Sequence, residues 1–234
     1  MPRPLIAVLT GAGISAESGL RTFRDSDGLW EGYNVEEVAT PRAWRANQRL
    51  VLDFYNQRRR DIAAARPNRA HLALAELEKD FDVRIVTQNI DDLHERAGST
   101  RVLHLHGDIF KMRSDRQQHE DSLAREIRDD MPYGAQAPDG GYWRPHIVWF
   151  EEAVPAIMEA ADIMRQADIF ILVGTSLVVY PAAGLVDYLP AGIPKYVVDK
   201  NIPVVRQYMN IIPIEKPATE GMEEVRQLLS GRPS

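Results

Sequence analysis

The stretch Leu5-Ile6-Ala7-Val8-Leu9, followed at once by Thr10-Gly11-Ala12-Gly13-Ile14-Ser15-Ala16-Glu17-Ser18-Gly19, decides the fold. Five consecutive apolar residues suit a strand buried on both faces of a parallel sheet. Gly11 and Gly13 let the chain turn tightly and approach a ligand that a Cβ would block. The residues behind them can open a helix whose free N–H groups and positive dipole end attract phosphate. This is a dinucleotide-binding opening without the third glycine of the G-x-G-x-x-G spacing. Taken alone, it fits a nucleotide site and a plain strand-to-helix turn equally well.

Further strand-like runs lie at Val83–Thr87, Val102–Leu105, Ile169–Val173, Tyr196–Val198 and Ile211–Ile214. Helical patterns fall between them, at Asn47–Ala65, Asn68–Lys79, Pro155–Gln166, Ala182–Tyr188 and Ala218–Leu229. The alternation predicts an α/β fold of right-handed βαβ units around a mostly parallel sheet. Such sheets bind ligands at the carboxyl ends of their strands. Thr10-Gly11, Gln88-Asn89, His106-Gly107 and Gly174-Thr175 each follow a predicted strand, so the four motifs are expected on one rim. A polar segment from about 108 to 143 interrupts the alternation and predicts a small inserted module.

The composition is that of a soluble globular chain: 234 residues, 44% apolar, 26% charged, net charge −6. That length suits one domain with a modest insertion. The acidic balance argues against direct nucleic-acid binding, and no apolar stretch reaches the ~18 residues of a membrane span. Met1 stands close to the first strand, so no targeting segment is expected and a cytoplasmic location follows. Cysteine is absent, which removes disulfides, a thiolate nucleophile and Cys-ligated zinc from consideration. Arg58-Arg59-Arg60 reads as a solvated helix face.

Several side chains carry chemistry. His106 is the best catalytic candidate, because an imidazole accepts a proton near neutral pH and no Gly-x-Ser-x-Gly elbow competes. His104, two residues earlier, reads as a packing histidine. Asn89 or Asp91 could cap a helix starting near Leu93. Gly174-Thr175-Ser176 repeats the small-residue pattern at a second strand end. Tyr55 and Arg58, three apart, share a helix face, and a phenol beside a guanidinium makes a carboxylate receptor.

GAGISAESGLRTFRD at 11–25 with Gly28-Leu29-Trp30 resembles the signature of the sirtuins, the NAD-dependent protein-lysine deacylases. Four more runs match in order: Thr87-Gln88-Asn89-Ile90-Asp91, His106-Gly107, Arg144-Pro145-His146-Ile147-Val148-Trp149-Phe150, and Gly174-Thr175-Ser176-Leu177. The resemblance covers about residues 5 to 229. It implies one Rossmann-like catalytic domain spanning 1–234, with a helical insertion at about 25–65 and a reduced small module at about 108–143.

It also implies NAD as cofactor. Gly11, Ala12, Gly13, Ser15, Phe23, Arg24, Trp30, Gln88, Asn89, Ile90, Asp91, Gly174, Thr175, Ser176, Asp199, Lys200 and Ala218 would hold it. Phe23 would shield the reacting ribose carbon, Gln88 and Asn89 would meet the ribose, and Asp91 would meet the nicotinamide amide. His106, with Asn89, would be catalytic, the histidine taking a ribose proton. The expected partners are acylated-lysine proteins or peptides, with Val148 and Phe150 contacting the substrate. Tyr55-x-x-Arg58 resembles the subgroup that removes succinyl and other acidic acyl groups.

The chain departs from the family in three places. The small module lacks the usual four zinc cysteines. Ser114 stands where the first is expected, His119 is the sole histidine in that segment, and a zinc-free module held by hydrogen bonds is predicted. The family's Trp-Phe-Gly-Glu appears as Trp149-Phe150-Glu151-Glu152, placing a side chain where substrate backbone normally adds as a strand. An asparagine expected after Tyr196–Val198 is replaced by Asp199-Lys200-Asn201. The expected activity is NAD-dependent removal of acetyl or succinyl groups from lysine, releasing nicotinamide and O-acyl-ADP-ribose. NAD hydrolysis or ADP-ribosyl transfer, and a non-catalytic NAD sensor, are the alternatives.

Overall fold

Strand β1 (Leu5–Thr10) is buried along its whole length. In chain order there follow β2 (Leu29–Trp30), β3 (Tyr33–Asn34), β4 (Asp82–Thr87), β5 (Val102–His104), β6 (Gly107–Ser114), β7 (Arg125–Glu126), β8 (Trp143–Ile147), β9 (Ile169–Val173), β10 (Lys195–Val198) and β11 (Ile211–Ile214). The computed structural model describes residues 2–21, 29–30 (backbone), 33–117, 124–203 and 209–231. Phe23, Arg24 and His119 lie outside the described residues, as does the side chain of Trp30.

Six strands form one parallel sheet in the order β11-β10-β9-β1-β4-β5. Alternate residues of β1 enter different cores, as the two-residue strand period requires. Leu5, Ala7 and Leu9 pack with Leu172, Met164 and Leu185. Ile6 and Val8 pack with Ile14, Leu74, Ile171 and Met222.

The helices are α1 (Gly13–Ala16), α2 (Val35–Val38), α3 (Pro41–Ala46), α4 (Gln48–Ala64), α5 (Arg69–Leu77), α6 (Leu93–Arg96), α7 (Ile157–Arg165) and α8 (Ala218–Leu229). Residues Ala182–Tyr188 form a 3-10 helix. Among the described residues no helix is long and apolar enough to cross a membrane.

The interruption expected after residue 108 is a second, antiparallel sheet in the order β7-β6-β8. It packs on α3 and α4 through Trp44, Phe54, Tyr55, Ile62, Ile109, Phe110 and Trp149. Arg58 and Arg59 correct the solvated reading of the arginine run. Arg58 is 7% exposed and Arg59 fully buried, while Arg60 is exposed and pairs with Asp130. Arg59 donates from Nε to Ile109 O (2.9 Å) and from Nη1 to Asn56 Oδ1 (2.7 Å), tying α4 to β6.

In the small module Ser114 Oγ donates to Asp139 Oδ1 (2.8 Å), which also accepts the Gly141 amide (2.9 Å). Asp115 accepts from the Tyr142 amide (2.9 Å) and from Trp44 Nε1 (3.1 Å). Hydrogen bonds thus join the two arms of the module and anchor it to α3. No group of three or more His, Cys, Asp or Glu residues suited to a metal occurs among the described residues.

The glycines of the opening motif also admit a close backbone contact within the fold. Gly11 N–H donates to Val173 O (3.1 Å) and Gly13 N–H to Gly174 O (2.9 Å). A Cβ on Gly13 would stand 2.6 Å from Gly174 Cα, and one on Gly11 2.8 Å from Gly174 O. What the glycines admit is the backbone of the neighbouring loop. The Gly13 amide is engaged by that loop.

Two glycines allow this contact to be weighed. Gly174 and Gly134 both have positive φ, +63° and +75°, where an alanine costs about 1 kcal/mol or more. Gly134 has no atom within 4 Å of an added Cβ, whereas Gly174 would meet Gly13 Cα at 2.7 Å. Denaturant titration should give about 1 kcal/mol of destabilisation for Gly134→Ala and about 3 kcal/mol or more for Gly174→Ala. Elemental analysis of purified protein should find no stoichiometric zinc.

Candidate functional site

A cavity of about 670 Å³ opens where the carboxyl ends of β1, β4, β9 and β10 meet the turn after β5. It lies in the size range of small-molecule sites. Ala12, Gly13, Ser15, Gln88, Asn89, Ile90, Asp91, His106, Gly174, Thr175, Ser176, Asp199, Lys200 and Ala218 all line it, as do Tyr55, Arg58, Val148 and Phe150. Gly11 does not line it, being engaged with the loop after β9.

His106 sits in the turn between β5 and β6. Its Nδ1 lies 2.9 Å from Gln88 O. A carbonyl only accepts, so Nδ1 carries the proton and Nε2 of the neutral ring keeps its lone pair. Burial pushes the imidazole pKa down, with the Gln88 bond opposing, and keeps the ring neutral at neutral pH. His104 is not merely packed. Its Nδ1 meets Asn89 O (3.1 Å) and its Nε2 meets Glu95 Oε1 (2.8 Å), both pure acceptors. Burial opposes its charge, but Glu95 outweighs this and holds the pKa up. His104 therefore fastens the Asn89 carbonyl to α6.

The turn after β4 is held by a buried polar network. Ser15 Oγ donates to Asp91 Oδ2 (3.0 Å) and accepts from Asn89 Nδ2 (3.1 Å). The other Asp91 oxygen accepts the Leu93 amide (3.2 Å). Asp91 thus holds the first amide of α6 while lining the cavity, and burial raises its pKa. Gln88 Nε2 donates to Thr175 Oγ1 (3.0 Å), linking the ends of β4 and β9.

Sequence reasoning missed the layer beneath. His71 Nδ1 accepts the Asn68 amide (3.3 Å), which leaves Nε2–H to face Ser15 Oγ at 3.4 Å. Thr10 Oγ1 donates to Thr87 Oγ1 (2.8 Å) and meets His94 Nε2 (3.1 Å), and Thr87 Oγ1 accepts the Asn89 amide (3.1 Å). Only the Asn68-x-x-His71 spacing, that of a capping box, hinted at this role. The fully buried Tyr55 hydroxyl accepts from Trp149 Nε1 (3.0 Å). Burial pushes the phenol pKa up, so it stays protonated.

Trp149 is held in turn by Glu152. That carboxylate accepts the Trp149 amide (2.8 Å) and Arg144 (2.7 and 3.1 Å), while the Arg144 guanidinium lies 3.2 Å from the Trp149 ring centroid. Burial opposes the Glu152 charge, and Arg144 more than reverses this. Glu151, next in line, turns away to pair with Arg42 (2.6 Å).

The Sir2 family profile matches residues 11–181. An NAD-dependent protein deacylase of Bacteroides thetaiotaomicron is 48% identical over 231 residues, covering 97% of this chain and 99% of its own. A Helicobacter pylori protein of the same description is 48% identical over 220 residues, covering 94% and 95%. Among solved structures, a Sir2 homologue in complex with NAD is 34% identical with a TM-score of 0.86, covering 98% and 90%. A Sir2 protein bound to acetylated peptide is 28% identical with a TM-score of 0.80, covering 98% and 94%.

The network makes stability pH-dependent through His71. Burial pushes its pKa down to about 4. The unfolded chain takes up that proton near 6.5, so this stabilisation is present above 6.5 and lost as pH falls towards 4. Between pH 7 and 5.5 His71 alone should cost about 1 kcal/mol of stability. Thermal melts of His71→Phe should show a shallower pH dependence than wild type, and a lower Tm at pH 7 because Ser15 loses a donor.

Proposed function

The chain belongs to the Sir2 family, and from that premise we propose how its cavity removes acyl groups from protein lysines, with His106 as the base. The activity is NAD-dependent protein-lysine deacylation, the one for which its relatives are named. The observation that carries the reading is the His106–Gln88 hydrogen bond. It fixes the tautomer a general base needs, on a ring that burial keeps neutral.

The donor set fits NAD. At one end Asp199, 6% exposed, offers a carboxylate suited to a ribose diol, positioned by the Asn201 amide at 2.9 Å. Beside it Ala218 and Val198 offer an apolar wall. Thr175 and Ser176 bring hydroxyls to the middle, and Asn89 and Asp91 bring an amide and a carboxylate to the far end. From β10 to β5 is four strand spacings, about 19 Å, a span for an elongated polar ligand. When bound, NAD supplies the ribose carbon that takes the acyl oxygen as nicotinamide leaves.

The remaining roles belong to the chain. Asn89 and Asp91, locked through Ser15, orient the ribose and the departing amide. His106 Nε2 accepts a ribose hydroxyl proton. Val148 and Phe150 flank the lysine channel. Tyr55 and Arg58, both buried against the cavity, receive the acyl chain. A buried guanidinium gains most from an anion that can bond it twice, so the preferred acyl groups are acidic ones such as succinyl.

His106→Ala should abolish acyl transfer while NAD still binds, as checked by product formation and calorimetry. Tyr55→Phe and Arg58→Met should each lower desuccinylation about ten- to hundredfold and change deacetylation little. Both peptides are assayed on each variant at saturating NAD. Equal losses would return the pair to a structural role.

A further inference from the structure

Glu151 holds a backbone conformation that its residue type resists. The Glu152 amide donates to Trp149 O at 3.1 Å, closing a four-residue turn whose third member is Glu151, with φ +73°. Glycine favours that position, and a residue with a Cβ is strained there. No burial holds the side chain in place, since it is 45% exposed. Backbone strain kept at the rim of a ligand cavity points to a use for the side chain that keeps it.

The side chain puts a carboxylate on the rim. Phe150, Val178 and Tyr180, all exposed and apolar, line the same cavity. Glu152, the adjacent acid, is committed to Arg144 and the Trp149 amide. Glu151 is differently placed. Its Oε1 takes Arg42 Nη2 at 2.6 Å, and Arg42 is itself 62% exposed. An ion pair in water is weak, and a carboxylate has acceptor sites for more than one donor. The turn itself is tethered independently, by Phe150 N–H to Ala39 O at 3.0 Å. The carboxylate can therefore change partner without moving the turn.

We propose that Glu151 determines specificity, selecting acyl-lysine substrates that carry a cationic side chain next to the modified lysine. Arg42 is its counter-ion at rest, which the substrate cation displaces or joins. The inference rests on the acyl-lysine reading of the cavity and adds to it the charge of the flanking sequence. Removing Arg42 leaves the carboxylate uncompensated and strengthens the selection. Salt screens it.

The test uses acyl-lysine peptides that differ only in carrying Arg, Ala or Glu beside the modified residue, placed on each side in turn. kcat/KM is measured on wild type, Glu151→Gln, Glu151→Gly and Arg42→Ala. The quantity read is the Arg-to-Glu ratio within each protein, so changes in overall activity cancel. Wild type should favour Arg about three- to fivefold on one side, the yield of an exposed ion pair. Both Glu151 variants should bring the ratio to about one, and Glu151→Gly should also melt higher because the turn strain is gone. Arg42→Ala should raise the ratio, and added salt should lower it.

A wild-type ratio near one on both sides, or one that survives both Glu151 variants, overturns the proposal. So does a preference for Glu, which would give the rim to Arg42. Failure of the underlying reading looks different: no peptide of any charge would be turned over by any of the four proteins, and both inferences would fall.

Discussion

At the junction of β1 and β9 two loops touch through backbone alone, and the site is built on that contact. The sheet order reverses direction there, with β4 on one side of β1 and β9 on the other. The chain after β1 leads to Ile14 on one face of the sheet and the chain after β9 to Leu185 on the other, so the two loops diverge and a crevice forms between them. Glycine at 11, 13 and 174 lets them close to hydrogen-bonding distance. This closeness lets Gln88 bridge to Thr175, and it sets Ser15 within reach of Asn89 and Asp91. The polar geometry of the crevice is thus inherited from a contact that involves no polar side chain.

Two buried polar assemblies meet at the cavity and differ in kind. Beneath the β4 turn, His71 and His94 donate into hydroxyls, and burial disfavours charge on both rings. Around Trp149, charge is concentrated: Arg144, Arg113 and Glu152 form an ion cluster that sets the indole, which in turn positions Tyr55. Breaking such a cluster from one side leaves an uncompensated buried charge, so its members are structurally costly to replace. Glu151 stands one residue outside it, in water, where a charge can be exchanged.

Much of this was legible in the chain. Ile169–Val173 and Ile211–Ile214 were readable to the residue, because an apolar run between turn signals has little freedom in a parallel sheet. The meeting of Gln88-Asn89, His106 and Gly174-Thr175 in one cavity followed from their position after strands, while Thr10-Gly11 stands behind its wall. The antiparallel sheet was not legible. Its strand β6 carries Asp108, Lys111 and Arg113, and its burial depends on Arg59 reaching Ile109 from a distant helix. Sequence patterns treat arginine as a surface residue, so they read both partners as solvated. The double duty of Asp91 was hidden for a simpler reason: a carboxylate has two oxygens, and one can hold the first amide of a helix while the other takes the Ser15 hydroxyl at the cavity wall.

The Ser114–Asp139–Gly141 clasp changes what can undo the small module. A module closed by thiolates is vulnerable to oxidants and to competition for metal. This chain has no cysteine, and its clasp draws on a carboxylate whose pKa is held below the ordinary value by the Gly141 amide and the Ser114 hydroxyl. The stabilising form is the charged one, present at neutral pH and lost as pH falls through that lowered value. Acid, in place of peroxide or metal starvation, becomes the condition that loosens the module. The enzyme's small module is thereby uncoupled from the thiol redox state of its surroundings.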